Sequence, residues 1–300
     1  DVDLAKAFAA LPFDHLVFTG STEAGRSVMR AAADNLVPVT LELGGKSPAI
    51  VSASADLGAA ALRIVHGKVL NSGQTCVAPD YALVPRGRED EFVDAARAAF
   101  ERLAPRAAAD PDYTSIVSAR HAERLQALLQ DARAGGATVH PCGDADDPRR
   151  MPLHLVTGVT DAMRLAREEI FGPVLPVIPY VEIADAIAHV TSRPRPLALY
   201  YFGQDPREAA EVRRRTHCGG VTIDGWGWHV FQHDLPFGGI GESGMGSYHG
   251  EEGFRELSHA KAVLRKHRFF PVGLFHPPYG RLVQRLVLRL YLGRDPRSDR

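Results

Sequence analysis

The sequence predicts an α/β protein, and three observations carry that prediction. Apolar runs of strand length alternate with segments of helical spacing as far as about Val221. The links between them are short, which is how parallel βαβ units are built. The 300 residues are 45% hydrophobic and 24% charged, a globular composition that suffices for one large or two ordinary domains.

Taken in order, "DLAKAFAAL" has helical spacing and "HLVFTG" (15–20) reads as a short buried strand. "AGRSVMRAAADNL" (24–36) is helical again, and "VPVTLELGG" (37–45) returns as a strand. Only two strands of such a sheet precede a change in character, and two strands leave much apolar surface open. With Asp1 rather than methionine at the start, the expectation is that the front of this domain is missing. A helical stretch "DLGAAALRIVHGKVLNSG" (56–73), a strand "YALVP" (81–85) and a helix "REDEFVDAARAAFERL" (88–103) follow. After a polar loop rich in Ala, Asp and Pro comes a long helix around "SARHAERLQALLQDARAGG" (118–136), whose two glycines make a natural C-cap. No internal repeat is present.

The tail differs. Residues 265–300 carry nine Lys/Arg against two Asp, and "RLVQRLVLRLYL" sets Arg281, Arg285 and Arg289 at i, i+4 and i+8 among leucines and valines. That is a basic amphipathic helix, suited to the protein's own body, to a partner subunit or, as a weak contact, to an anionic membrane surface.

Charge and cysteine usage narrow the function classes. The formal net charge is −1, so no global field argues for nucleic acid. Three separated cysteines, Cys76, Cys142 and Cys218, form neither a disulfide framework nor a Cys-x-x-Cys site, which fits a reducing cytoplasm. There is no signal peptide and no apolar run long enough to span a bilayer. "HVFQH" puts His229 and His233 at i, i+4 without the glutamate of a zinc-protease motif or a third ligand, so no metal site is read there. His121 reads as a solvated face residue, and Cys142 and Cys218 as structural.

Three motifs can carry chemistry. "FTGSTEAG" places Gly20, Thr22 and Gly25 in a G-x-T-x-x-G pattern between strand and helix, where a phosphate can approach backbone N–H groups. Any tight βα turn also uses small residues. "LELGGKSP" puts Glu42 at the end of an apolar strand, where burial would raise its pKa and suit a general base. The other reading is a strand-end carboxylate turned to solvent. Cys76 in "GQTC" is either a small buried residue or a nucleophile whose thiolate nearby donors favour.

Together with "EEIFGPVLPV" and "PFGGIGESGMGSYHG", these motifs resemble, in order over roughly residues 13–260, the signature run of the NAD(P)-dependent aldehyde dehydrogenase superfamily. "SRPRPLALYYF" and "GESGMGSYHGEEGF" are similar to its class 3 and coniferyl aldehyde dehydrogenase branch. The resemblance implies an aldehyde dehydrogenase-like α/β fold with a partial Rossmann-type cofactor domain and an α/β catalytic domain. The division it implies is residues 1–43 for the cofactor remnant, 44–245 for the catalytic domain and 246–300 for a C-terminal return segment with the basic tail.

Carried over by position, the resemblance makes Cys76 the nucleophile and Glu42 the base that activates water against a thioester. Gly20, Ser21 and Gly25 become the cofactor turn, with Ser21 at the pyrophosphate. Leu43 and Gly44 become the backbone beside the nicotinamide, Glu169 the carboxylate on its ribose and Phe171 the ring packed nearby. NAD or NADP is the implied cofactor, and the implied substrate is an aromatic or medium-chain aldehyde of the coniferaldehyde type. The implied assembly is a homodimer, in the cytoplasm. Trp226, Trp228 and Phe231 fall where the resemblance places the substrate entrance. The family's asparagine of the oxyanion hole, and its lysine and acidic residues for the adenosine ribose, have no counterpart here. A non-catalytic fragment or oligomerisation partner, and a cofactor-independent thiol esterase, therefore stand as rival readings.

Overall fold

The computed structural model describes residues 2–105, 110–145, 147–269 and 272–293. The chain falls into two compact units that meet between Ser258 and His259.

The larger unit opens with α1 (Val2–Ala9), β1 (Leu16–Gly20), α2 (Thr22–Ala33) and β2 (Val39–Leu43). β1 and β2 run parallel, with Thr19 opposite Glu42 and Gly20 opposite Leu43. Next come β3 (Pro48–Val51), α3 (Leu57–Val69), β4 (Tyr81–Pro85), α4 (Glu89–Leu103), α5 (Ala119–Ala134), β5 (Thr138–Pro141) and β6 (His154–Thr157). The unit continues through α6 (Arg164–Arg167), β7 (Val174–Tyr180), α7 (Ile183–Thr191), β8 (Ala198–Phe202), α8 (Pro206–Arg215), β9 (Gly220–Ile223), β10 (Gly244–Met245) and α9 (Gly250–Glu256).

Seven strands form one sheet in the order β5-β6-β7-β4-β3-β8-β9. Every pairing is parallel except β5 with β6. The central strands are buried on both faces, which is why "PAIV" and "ALYYF" are continuous apolar runs and not alternating ones. α3 and α4 cover one face, packing Ile64, Val65, Phe92 and Phe100 against Val84 and Leu175. α7 and α8 cover the other through Ile187, Val190 and Val212. α5 buries Leu125, Leu128 and Leu129 against Ile170 and Val174.

Two expectations change. The first sheet has a third strand, because β10 returns to pair antiparallel with β2, Gly244 opposite Glu42. Two residues so late in the chain leave no periodic signal. The helix expected through residue 73 ends at Val69, since Asn71, Ser72 and Gly73 all have positive φ. The two glycines end α5 as expected, Gly135 as the C-cap and Gly136 in the left-handed conformation.

In the second unit the basic amphipathic segment forms α10 (Leu282–Leu292), with Leu282, Leu286 and Leu290 exposed. No helix among the described residues is long and apolar enough to cross a membrane. Arg294, Arg297 and Arg300, the end of the basic tail, lie outside the described residues.

Candidate active site

The βα turn ends β1 and starts α2. Ser21 is the N-cap, its hydroxyl accepting from the Ala24 amide at 3.3 Å. A hydroxyl that accepts one bond still has a proton to donate. Gly25 lets α2 lie close on β2, because a Cβ there would stand 2.6 Å from Leu43 Cδ2. Thr22 donates to the Glu242 carbonyl at 2.9 Å, and Arg26 reaches the Glu242 carboxylate at 3.0 Å. The segment before β10 is thereby fastened to the helix start.

Glu42 is buried, at 2% exposure, and among the described residues neither carboxylate oxygen has a hydrogen-bond donor in bonding geometry. Desolvation raises its pKa to about 7, with the Gly239 amide pulling the other way. The reading of Glu42 as solvated is excluded.

Cys76 lies in a turn beyond the C-terminal end of α3. Side chains hold that turn. The Asn71 amide donates to the Gln74 carbonyl at 2.9 Å, and the Gln74 amide donates to the carbonyls of Asn71 and Ser115 at 3.1 and 3.2 Å. Gln74 Oε1 accepts from the Val117 amide at 2.8 Å, and Ser72 donates to the Thr114 carbonyl. Buried Gln74 thus explains why a run of left-handed residues persists here. The thiol is pushed up to about 11, first by burial, then by the charges of Glu42 and Glu169; the amides of Cys76 and Val77 pull the other way.

The third component is the irregular segment between α6 and β7. Its carbonyls are held by side chains from elsewhere. Lys46 donates to the carbonyls of Leu165 and Glu168 at 2.8 and 2.9 Å and pairs with Asp80. Arg124 donates to the carbonyls of Glu169 and Ile170, the latter at 2.9 Å, and His121 Nε2 stands 2.7 Å from the Phe171 carbonyl. His121 is therefore half-buried and bonded, not the solvated residue its helix position suggests. Glu169 is pushed up to about 7 by burial and by Asp80, against the Gly45 amide and the charges of Lys46 and Arg124. Buried Lys68, lowered to about 8 by desolvation, lies in the same field beside Asp80.

These pieces converge. The Glu169 carboxylate lies against Gly44, where a Cβ would fall 2.0 Å from Oε2. An open cavity of about 590 Å³ is lined by Thr22, Gly44, Gly45, Glu169 and Glu242 among others; Cys76 and Glu42 are not in its lining. Tyr248, within "GSYHG", feels the charges of both Glu42 and Cys76 and so belongs to their neighbourhood. Phe171 takes φ +50° and meets the His121 ring edge-on at 6.0 Å.

The aromatic group expected at an entrance divides. Trp226 is buried against Gly67 and donates from Nε1 to His66 Nδ1 at 2.9 Å. Trp228 and Phe231 are exposed and lie tilted at 53° to each other, their ring centres 5.8 Å apart. His229 bonds Thr222 at 2.8 Å, whereas His233 lies against His249, so the two histidines of "HVFQH" do not converge.

Fold and site together define an α/β protein with a small-residue βα turn, a half-buried thiol and a buried carboxylate. The family model of the aldehyde dehydrogenase family matches residues 5–263, and the chain belongs to that family. It is 53% identical over 292 residues to a probable coniferyl aldehyde dehydrogenase of Pseudomonas aeruginosa, covering 97% of this chain and 61% of that protein. Among solved structures it is similar to a substrate-bound AldH of Staphylococcus aureus, with TM-score 0.88 and 37% identity over 97% of this chain and 63% of that one. A betaine aldehyde dehydrogenase of Staphylococcus aureus in complex with NAD+ matches with TM-score 0.76 and 28% identity, covering 84% of this chain and 52% of that one. The chain thus spans about three-fifths of the curated relative's length.

Proposed function

We propose that this chain carries the catalytic centre of an enzyme that oxidises an aldehyde to the carboxylic acid with NAD or NADP. The observation that carries the reading is Glu42, a buried carboxylate with no donor in bonding geometry among the described residues, its pKa raised to about 7 in the electrostatic neighbourhood of Cys76. A general base needs that poise.

Cys76 is the proposed nucleophile. Its thiolate adds to the aldehyde carbon, forming a C–S bond, and the carbonyl π pair moves to oxygen, facing the amides beside the sulfur. When bound, the oxidised nicotinamide supplies the hydride acceptor and a positive charge that favours the thiolate. Loss of hydride leaves a thioester on Cys76. Glu42 then takes a proton from water, the hydroxide oxygen bonds the acyl carbon, and the C–S bond breaks to release acid and thiolate.

The residues present fit the nicotinamide half of a dinucleotide. The supporting observation is the cradle at Gly44, free of a Cβ beneath the Glu169 carboxylate, on a cavity that extends to the start of α2. In this reading Glu169 holds the ribose hydroxyls, and Phe171 packs nearby. Leu43 and Gly44 offer backbone to the ring, while Gly20, Ser21 and Gly25 form the pyrophosphate turn. Residues 1–43 would then be part of a cofactor domain, 44–245 the catalytic domain and 246–300 the return segment. An aromatic substrate of the coniferaldehyde type follows from the Pseudomonas relative's name. A cytoplasmic homodimer completes the reading, and α10 is its candidate for weak membrane contact.

The test uses the native polypeptide, with its intact mass measured first. Reduced cofactor should form with coniferaldehyde and stop on Cys76→Ala. Oxidation that survives Cys76→Ala sinks the assignment. The second reading, ester hydrolysis without nucleotide, is favoured by the presence of both Cys76 and Glu42 in this chain. It predicts turnover of an activated ester with no cofactor added. Absence of both reactions would leave a non-catalytic fragment or assembly partner.

A further inference from the structure

Glu169, Ile170 and Phe171 belong to no helix or strand, yet the carbonyls of all three are bonded to two side chains of one helix. Arg124 and His121 stand three apart on α5 and so share a face. The guanidinium spans two consecutive carbonyls, Ile170 through Nη1 at 2.9 Å and Glu169 through Nη2. The His121 ring takes the third at 2.7 Å, and because a carbonyl only accepts, Nε2 carries the proton. On the opposite side the Ile170 amide donates to Asp80 Oδ1 at 2.9 Å. Each peptide from 169 to 171 is therefore fixed through a bond, and Phe171 is held at φ +50°, which a non-glycine residue rarely takes. A loop left to itself would relax from that conformation. Its relaxation would carry the Glu169 Cα, and with it the carboxylate, off Gly44.

We infer that Arg124 and His121 are positioning residues for the nucleotide: a clamp on three carbonyls that presets the Glu169 carboxylate before any cofactor arrives. The inference rests on the reading of Glu169 as the ribose ligand. Arginine suits the task because its planar fork is rigid and spans two acceptors; lysine is a single point donor. Neither residue touches the ribose site itself in this role.

The experiment measures two quantities in the native polypeptide. One is binding of NAD+ and of NADP+ by calorimetry. The other is amide hydrogen exchange of the 169–172 peptide by mass spectrometry, without cofactor. Arg124→Met should speed that exchange about tenfold, as expected when local opening becomes easier. It should also raise the dissociation constant of the preferred cofactor about fivefold or more, the cost of ordering the loop at binding. Arg124→Lys should fall between wild type and Arg124→Met. His121→Ala should move both readouts the same way by less, and it carries the test should Arg124→Met fail to fold.

Faster exchange with unchanged affinity would overturn the inference, since the loop would then not govern binding. Weaker affinity with unchanged exchange would overturn it too, since the effect would not run through the loop. If the wild-type polypeptide binds neither nucleotide, the proposed function fails, and the exchange rate alone then decides the clamp: faster in Arg124→Met supports it, unchanged overturns it.

Discussion

Gly73 and Gly172 meet backbone to backbone. A Cβ on Gly73 would fall 2.4 Å from the Gly172 carbonyl oxygen, so the turn presenting Cys76 and the segment carrying Glu169 leave no room for a side chain between them. Gly73 also takes φ +71°, which an L side chain resists. The expected result of Gly73→Ala is destabilisation by about 2–4 kcal/mol, read from denaturant unfolding. A loss below about 0.5 kcal/mol, the size of an ordinary surface change, would mean that the two segments are not wedged as described.

Gly44 makes the opposite case. A Cβ there would collide with Glu169 Oε2 at 2.0 Å, but that atom is the far end of a rotatable side chain. Gly44→Ala should therefore fold with a stability change of about 1 kcal/mol or less. Its carboxylate would be pushed aside. Calorimetry should show NAD+ binding weakened about tenfold, and unaltered binding would remove Glu169 from the cofactor site.

For Glu42→Gln the sign follows from the raised pKa. The folded protein holds the Glu42 proton up to about pH 7, whereas the unfolded chain releases it near the ordinary value of 4.5. Between those values the folded state binds more protons, so stability falls as pH rises, and the full cost is present above pH 7. Glutamine does not ionise. The variant should therefore gain up to about 3 kcal/mol over wild type at pH 8 and nothing at pH 4, as measured by unfolding. Thioester hydrolysis should slow at the same time. A variant less stable than wild type at pH 8 would mean that the carboxylate finds a partner.

Cys76 should react as a half-buried, protonated thiol while no cofactor is bound. With its pKa near 11, its alkylation by iodoacetamide should rise about tenfold per pH unit from pH 7 to pH 10. Peptide mass spectrometry separates it from Cys142 and Cys218, which are also raised to about 11. Saturating NAD+ should speed the Cys76 reaction at pH 7. A rate that levels off below pH 8 without NAD+ would show a thiolate that these surroundings do not predict.

The legible parts of the site were those written in adjacent residues. "FTGSTEAG" has the turn its glycines imply because φ, ψ and the N-cap are decided within a few residues. Glu42 stood out because a carboxylate ending an apolar strand is costly wherever that strand lies. Arg124 and His121 gave no such signal. On a helix of mixed polarity they look like solvent-facing residues, and their partners are carbonyls 45 to 50 positions away. Carbonyls have no side chain to read. Trp226 likewise reads as part of an open loop, whereas its N–H donates to His66, 160 positions earlier.

By itself the sequence determined the α/β alternation, the parallel core strands, the βα turn and the singling out of Glu42 as a carboxylate on an apolar strand. Each rests on local periodicity or on the burial cost of one polar group. The tertiary structure alone decided that β10 completes the first sheet against Glu42, and that Gly73 and Gly172 exclude any side chain. It also decided that α5 holds the carbonyls behind Glu169. Those relations are close approaches between distant backbone segments, and packing geometry, not residue type, sets them.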